Sequence, residues 1–153
     1  MEKIHILYVD DELHNLNTFK ANFRTEYEIY ICQSAAEALE LLKEKTVEII
    51  ITDQRMPGMT GVEFLESIVS TYPDPIKVIA TGYADIEVVI NAINKGRINY
   101  FISKPWNSEE IRSHIEKMHE VYTLKRENKV LIKKLLEVNA RIEALLIERS
   151  SAN

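Results

Sequence analysis

Residues Val47 to Gly61 read V-E-I-I-I-T-D-Q-R-M-P-G-M-T-G, a short apolar run that delivers one carboxylate, Asp53, into a turn. A continuous, β-branched-rich run of this length, closed by Pro57, Gly58 and Gly61, predicts a strand buried on both faces. Such a strand is a central parallel one. In an open α/β sheet ligands sit outside the carboxyl ends of the strands, so Asp53 stands where chemistry is expected rather than where packing needs it.

The flanking sequence supplies the rest of such a sheet. Lys3 to Val9 predicts a first strand, which runs into Asp10, Asp11 and Glu12, and Leu13, Leu16, Phe19 and Phe23 then recur at helical spacing. Tyr27 to Ile31 is a second strand. Ser34 with Glu37 carries a capping-box signature ahead of Ala35, Ala38, Leu39 and Leu42. After Asp53, Thr60 and Glu63 repeat that signature before Val62, Leu65, Ile68 and Val69. Ile76 to Ala80 is a fourth strand ending at Thr81 and Gly82. Ile86, Val89, Ile90 and Ile93 come next as a helical stripe, with Gly96 placed to end it. Tyr100 to Ile102 is a fifth strand running into Ser103, Lys104 and Pro105, and Asn107 with Glu110 caps the last helix. Five strands alternating with helices predict a doubly wound parallel α/β sheet.

In that sheet the carboxyl ends of the strands share one edge, so Asp10, Asp11, Asp53, Thr81 and Lys104 converge although they are far apart in sequence. Any one of them alone reads as a solvated turn, a helix start or a surface lysine; the joint placement is the signal. Three carboxylates in one crevice repel, and a divalent cation relieves them. Mg²⁺ takes oxygen ligands and commonly shares its site with a phosphate. Asp53 is then a candidate nucleophile towards a phosphoryl group, with Lys104 pairing with its oxygens and Thr81 donating to one.

The net charge of −5 argues against a non-specific nucleic-acid binder. Cys32, the single cysteine, can make no internal disulfide and reads as a packing residue in a reducing compartment. No apolar run approaches the roughly 20 residues of a membrane span, and the N-terminus carries no signal-peptide pattern, so the expectation is a soluble, cytoplasmic chain without membrane contact.

The motifs V-D-D at Val9 to Asp11, I-T-D-Q-R-M-P-G-M-T-G around Asp53, A-T-G at Ala80 to Gly82 and F-I-S-K-P-W at Phe101 to Trp106 resemble those of the CheY-like receiver domain of two-component response regulators. The resemblance covers about residues 1–119. It implies a flavodoxin-like sheet of order 2-1-3-4-5 and a non-enzymatic module that accepts a phosphoryl group from a histidine kinase. By that resemblance Asp53 is the phosphoacceptor, Asp11 a direct Mg²⁺ ligand, Asp10 a ligand mainly through water, and Arg55 a ligand through its backbone carbonyl. Thr81 and Phe101 are the implied switch pair, Lys104 the phosphate-pairing lysine, and Lys104-Pro105 a cis peptide. Arg55 and Tyr83, two residues after the phosphoacceptor and the switch threonine, are large and expected to slow loss of the phosphoryl group. The wording T-G-Y-A-D, A-I-N-K-G-R-I-N-Y and K-P-W is similar to receivers ahead of HD-GYP phosphodiesterases or hydrogenase-type transcriptional activators.

The last helix runs on. Ile111, Ile115, Met118 and Tyr122 fit a face on the sheet. The register then shifts, with Val121, Asn128, Leu135 and Ile142 at a and Leu124, Leu131, Val138 and Leu145 at d, so seven of eight seam positions are apolar. That pattern over residues 120–149 predicts a coiled coil and a parallel homodimer, with Asn128 fixing its register. Ile132 and Leu146 at e widen the stripe and leave higher oligomers open. Residues 150–153 are expected to fray. Two alternatives stand beside the receiver reading. One is the regulatory piece of a larger effector, such as an HD-GYP phosphodiesterase or transcriptional activator, cut at its linker. The other, more distant, is a phosphohydrolase of the haloacid dehalogenase type, whose D-x-D pattern would need an acid where Arg55 stands.

Overall fold

Alternation along the strands decides how the layers assemble. In β1 (His5–Val9), Ile6 and Tyr8 face one way and Leu7 and Val9 the other. In β3 (Ile49–Asp53), Ile49 and Ile51 join the first set and Ile50 the second. A strand with large apolar residues on both faces must be covered on both. The computed structural model describes residues 2–152, Tyr83 by its backbone alone. It shows a five-stranded parallel sheet of order β2-β1-β3-β4-β5, with β2 at Glu28–Cys32, β4 at Ile76–Thr81 and β5 at Tyr100–Ser103. This is the flavodoxin-like arrangement implied by the sequence motifs.

Helices α1 (Leu13–Phe23) and the first turns of α5 (Ser108–Ser151) cover one face. There Leu16, Phe19, Phe23, Ile111, Ile115, Met118 and Tyr122 pack on Ile6, Tyr8, Ile51 and Val78. Helices α2 (Ala35–Glu44), α3 (Gly61–Ile68) and α4 (Ile86–Asn94) cover the other, with Ala38, Leu42, Phe64, Leu65 and Val89 against Leu7, Val9, Ile50 and Ile79. A short 3₁₀ turn, Tyr83–Asp85, leads into α4.

Local chemistry sets the helix ends. Thr60 and Glu63 form a complete capping box at α3. At α2 the Ser34 hydroxyl accepts from the Glu37 N–H, but the Glu37 carboxylate accepts from the Gln33 N–H instead of closing the box on Ser34. Gly96, at φ 73°, ends α4, and the Asn107 side chain accepts from the Glu110 N–H at the start of α5.

Several expectations shift. Cys32 is the last residue of β2 rather than beyond it. It is buried, and burial pushes its thiol up to about 11, in keeping with a packing role. Leu13 and Ile90, read as parts of apolar faces, are exposed, because α1 and α4 bury narrower stripes centred on Leu16 and Val89. Lys77, inside β4, is buried, and its ammonium donates to the carbonyls of Tyr72 and Pro75 at 2.6 and 3.1 Å.

The chain divides into two compact units, Met1–Tyr122 and Thr123–Asn153. Val121, assigned to the coiled-coil seam, is partly buried against the first core, since the turn holding Met118 and Tyr122 on the sheet carries it along. In the second unit residues 123–152 are all exposed, including Leu124, Asn128, Leu131, Leu135, Val138, Ile142 and Leu145. The helix continues through Ser151, whose hydroxyl donates to the Ile147 carbonyl.

A Cβ at Gly61 would clash with the Asp53 carbonyl oxygen and stand 3.0 Å from Ile79 Cδ1. Gly61→Ala should therefore cost about 3 kcal/mol of stability in urea unfolding, since α3 cannot dock without displacing the backbone of Asp53.

Candidate functional site

The register brings the strand ends together. Asp53 closes β3 opposite Ala80, and Thr81 closes β4 opposite Ser103. The Asp10 N–H donates to the Cys32 carbonyl, and the Lys104 N–H to the Thr81 carbonyl. Asp10 and Lys104 thus sit on the first residue where their strands stop. The β3–α3 loop is closed by Gln54, whose backbone carbonyl accepts from the Gly61 N–H at 3.0 Å and whose buried side-chain carbonyl accepts from the Val62 N–H at 2.9 Å. Gly58 turns this loop at φ 81°.

Lys104 Nζ lies 2.9 Å from Asp53 Oδ1 and 3.6 Å from Asp10 Oδ2. Carboxylate oxygens of Asp10, Asp11 and Asp53 all lie within 4.8 Å of one another; among the described residues no other group of three such side chains comes together. Asp10 is fully buried, and Asp11 is the most open of the three. Burial raises the Asp53 carboxyl above the ordinary carboxylate range, opposed by Lys104 and reinforced by the charge on Asp10.

Magnitudes show what the cluster lacks. At the outer limit of 4.8 Å a pair of unit negative charges repels by about 3.5 kcal/mol at an effective dielectric constant of ~20, so the three pairs repel by at least roughly 10 kcal/mol. Lys104 at its two contacts offsets about that amount on the same scale, which leaves the desolvation of the carboxylates uncompensated. An all-oxygen donor set with this excess negative charge fits a hard divalent cation of the Mg²⁺ kind.

Side chains that the sequence did not single out hold Asp10. The Tyr8 hydroxyl donates to Asp10 Oδ2 at 3.1 Å, Asn15 Nδ2 donates to the same oxygen at 3.1 Å, and the Glu12 N–H donates to Oδ1 at 3.0 Å. Tyr8 lay hidden in the apolar run of β1. Its period-2 relation to Asp10, which puts both on one face, was the available signal. Trp106 stands edge-on to Tyr8, and Lys104 Nζ sits 5.8 Å from its ring centroid.

Thr81 is buried, and its hydroxyl donates to the Gly82 carbonyl at 3.1 Å. Phe101 pairs with Ile79 on the neighbouring strand and is 37% exposed, so the two switch candidates share a sheet face one pleat apart with the phenyl ring outward. Lys104-Pro105 is cis, as the motif implied. The Arg55 side chain, 73% exposed, reaches across to Asp85 with Nε to Oδ2 at 2.8 Å and so ties the β3–α3 loop to the turn before α4. The expectation for Tyr83 concerns a side chain outside the described residues. Asn128 stands in the second unit.

A doubly wound sheet that gathers three acids and a lysine at its carboxyl edge is built to hold a cation and a phosphoryl group there. The chain belongs to the response regulator receiver domain family, whose model matches residues 6–116. It is 33% identical over 122 residues to the hydrogenase transcriptional regulatory protein HoxA of Bradyrhizobium diazoefficiens, covering 80% of this chain and 25% of that protein. A solved structure described as adenylate cyclase from Rhodopirellula baltica superposes with a TM-score of 0.82 at 32% identity, over 88% of this chain and 99% of that one. The signal receiver domain of an HD domain-containing protein from Pseudomonas fluorescens gives 0.76 at 28% identity, over 83% and 94%. The chain spans between a fifth and a third of the length of the curated relatives it matches. No helix among the described residues is long and apolar enough to cross a membrane.

The raised Asp53 carboxyl gives a signed prediction. A folded-state value above the unfolded one means that Asp53 costs stability once it ionises, and that this cost disappears as pH falls through the folded value towards the ordinary carboxylate range. Without divalent ions, Asp53→Asn should resist urea better than the parent at pH 7, and the gap should close on acidification through that window.

Proposed function

We propose that Asp53 accepts a phosphoryl group from a histidine kinase and that the phosphorylated state is relayed through Thr81, Phe101 and the C-terminal helix. The observation that carries this reading is the ion pair of Lys104 with Asp53 beside Asp10 and Asp11. An Asp53 carboxylate oxygen attacks phosphorus, the P–N bond to the donor imidazole breaks, and the imidazole leaves with the bond's electrons. Lys104 opposes the effect of burial on the Asp53 carboxyl and is placed to hold a phosphoryl oxygen, and Thr81 is the donor for another once its hydroxyl leaves the Gly82 carbonyl. Asp10, Asp11, Asp53 and the Arg55 carbonyl are the proposed Mg²⁺ ligands, and the bound ion would neutralise charge on the transferring group. With a phosphoryl group drawing Thr81 inward, space opens on the face that Phe101 shares, and the exposed ring turns into it. Arg55, with its guanidinium on Asp85 instead of an acid in its place, supports a stored phosphoryl group over hydrolytic turnover. Arg55 and Tyr83 are proposed to slow its loss.

Output is assigned to the helix. The exposed seam of Leu124, Asn128, Leu131, Leu135, Val138, Ile142 and Leu145 supports a parallel homodimer, with residues 120–149 as the coiled-coil segment and the receiver before it. A second form of the reading rests on the curated relatives, in which the matching segment is about a quarter of the length. In that form the receiver of this chain regulates an effector attached beyond the helix, and we place it in the cytoplasm, where kinases supply the phosphoryl group.

Acetyl phosphate with Mg²⁺ should label the protein with a phosphate labile to both acid and base, as an acyl phosphate is, and Asp53→Asn should abolish it; undiminished labelling of the variant contradicts the assignment. Light scattering should give twice the chain mass, and Leu131→Lys with Leu135→Lys should reduce it to one; a parent that stays monomeric at all concentrations contradicts the dimer.

A further inference from the structure

Asp10 is fully buried, and its lone pairs can be counted. A carboxylate offers about four acceptor positions, two on each oxygen. Oδ2 receives the Tyr8 hydroxyl and Asn15 Nδ2, both at 3.1 Å, with Lys104 Nζ beside it at 3.6 Å, and has no position left. Among the described residues Oδ1 receives only the Glu12 N–H, at 3.0 Å, and keeps one position. The donors therefore decide which oxygen of Asp10 is left for an ion or its hydration shell.

Tyr8 is held for this task. Its ring stacks on Phe19 at 4.4 Å and 12° and meets Trp106 edge-on at 6.5 Å and 85°. It is almost wholly buried. A side chain in the core of β1 needs no hydroxyl for packing, and a buried hydroxyl needs a partner. The partner here is the acid two residues on, reached on the same face of the strand.

We propose that Tyr8 is a positioning residue for the metal site: its hydroxyl anchors Asp10 Oδ2 so that Oδ1 is presented to a divalent cation, and cation affinity depends on that hydrogen bond. The proposal rests on the reading of Asp10, Asp11 and Asp53 as the cation site. Groups that orient the ligands of a metal commonly change its affinity ten- to a hundredfold when removed. Tyr8→Phe keeps both ring contacts and deletes only the donor.

The test uses Mn²⁺ as the probe, with free ion read by electron paramagnetic resonance, on the full chain and on Tyr8→Phe. Melting without metal confirms that the variant folds. The expected result is an Mn²⁺ Kd raised about tenfold, with acetyl phosphate labelling lost at limiting Mg²⁺ and recovered at saturating Mg²⁺. An unchanged Kd, or a labelling defect that saturating Mg²⁺ does not repair, overturns the role of Tyr8 while leaving the cation site standing. A parent chain that binds no Mn²⁺ overturns the site itself. Should Tyr8→Phe not fold, Asn15→Ala removes the other donor to Oδ2 from an accessible helix; an unaltered Mn²⁺ Kd in that variant also overturns the anchoring of Asp10.

Discussion

Lys104 between Asp53 and Asp10 is the interaction on which the rest of the site depends. Three carboxylates cannot be gathered at one edge of a sheet, one of them without solvent, unless something opposes their repulsion. One ammonium against three carboxylates leaves two negative charges in excess. The remaining cost of taking carboxylates out of water is visible as a raised Asp53 carboxyl. The arrangement is therefore poised: stable enough to fold with the acids in place, and short of positive charge by about what a divalent cation carries.

The fold supplies the placement without any local contact between these residues in sequence. Parallel strands with right-handed crossovers bring every carboxyl end to one edge, and burial on both faces fixes the register, because a slip of one residue would exchange the two apolar sets around β1 and β3. Asp10 and Asp53 are thus positioned by Ile6, Tyr8, Ile49 and Ile51 as much as by their own hydrogen bonds. Gly61 and Gln54 then hold the loop after Asp53 against the start of α3.

The strand order, the helix positions and the converging polar residues were legible in the sequence because each rests on a period or a motif that the chain displays openly. What escaped were features decided by tertiary geometry. Tyr8 reads as one more apolar strand residue until its hydroxyl is seen on Asp10, and Asn15 reads as a helix surface residue until α1 docks. Leu13 and Ile90 satisfied a helical period yet face solvent, since periodicity counts positions and not the width of the face that the sheet can cover. Val121 satisfied a heptad yet packs on the first core, because two overlapping registers meet within one turn of α5. Arg55 shows its size in the sequence, but its contact with Asp85 depends on a loop-to-loop distance that no sequence pattern encodes.

The central claim is that the chain stores a phosphoryl group as an acyl phosphate on one aspartate. Borohydride reduces such an acyl phosphate to homoserine and leaves free carboxylates untouched, so reduction after incubation with acetyl phosphate and Mg²⁺, followed by peptide mass spectrometry, reads the site directly. Homoserine at position 53 and nowhere else is the expected result. Homoserine at Asp10 or Asp11, or none at all in a protein that retains labelled phosphate, would contradict the account.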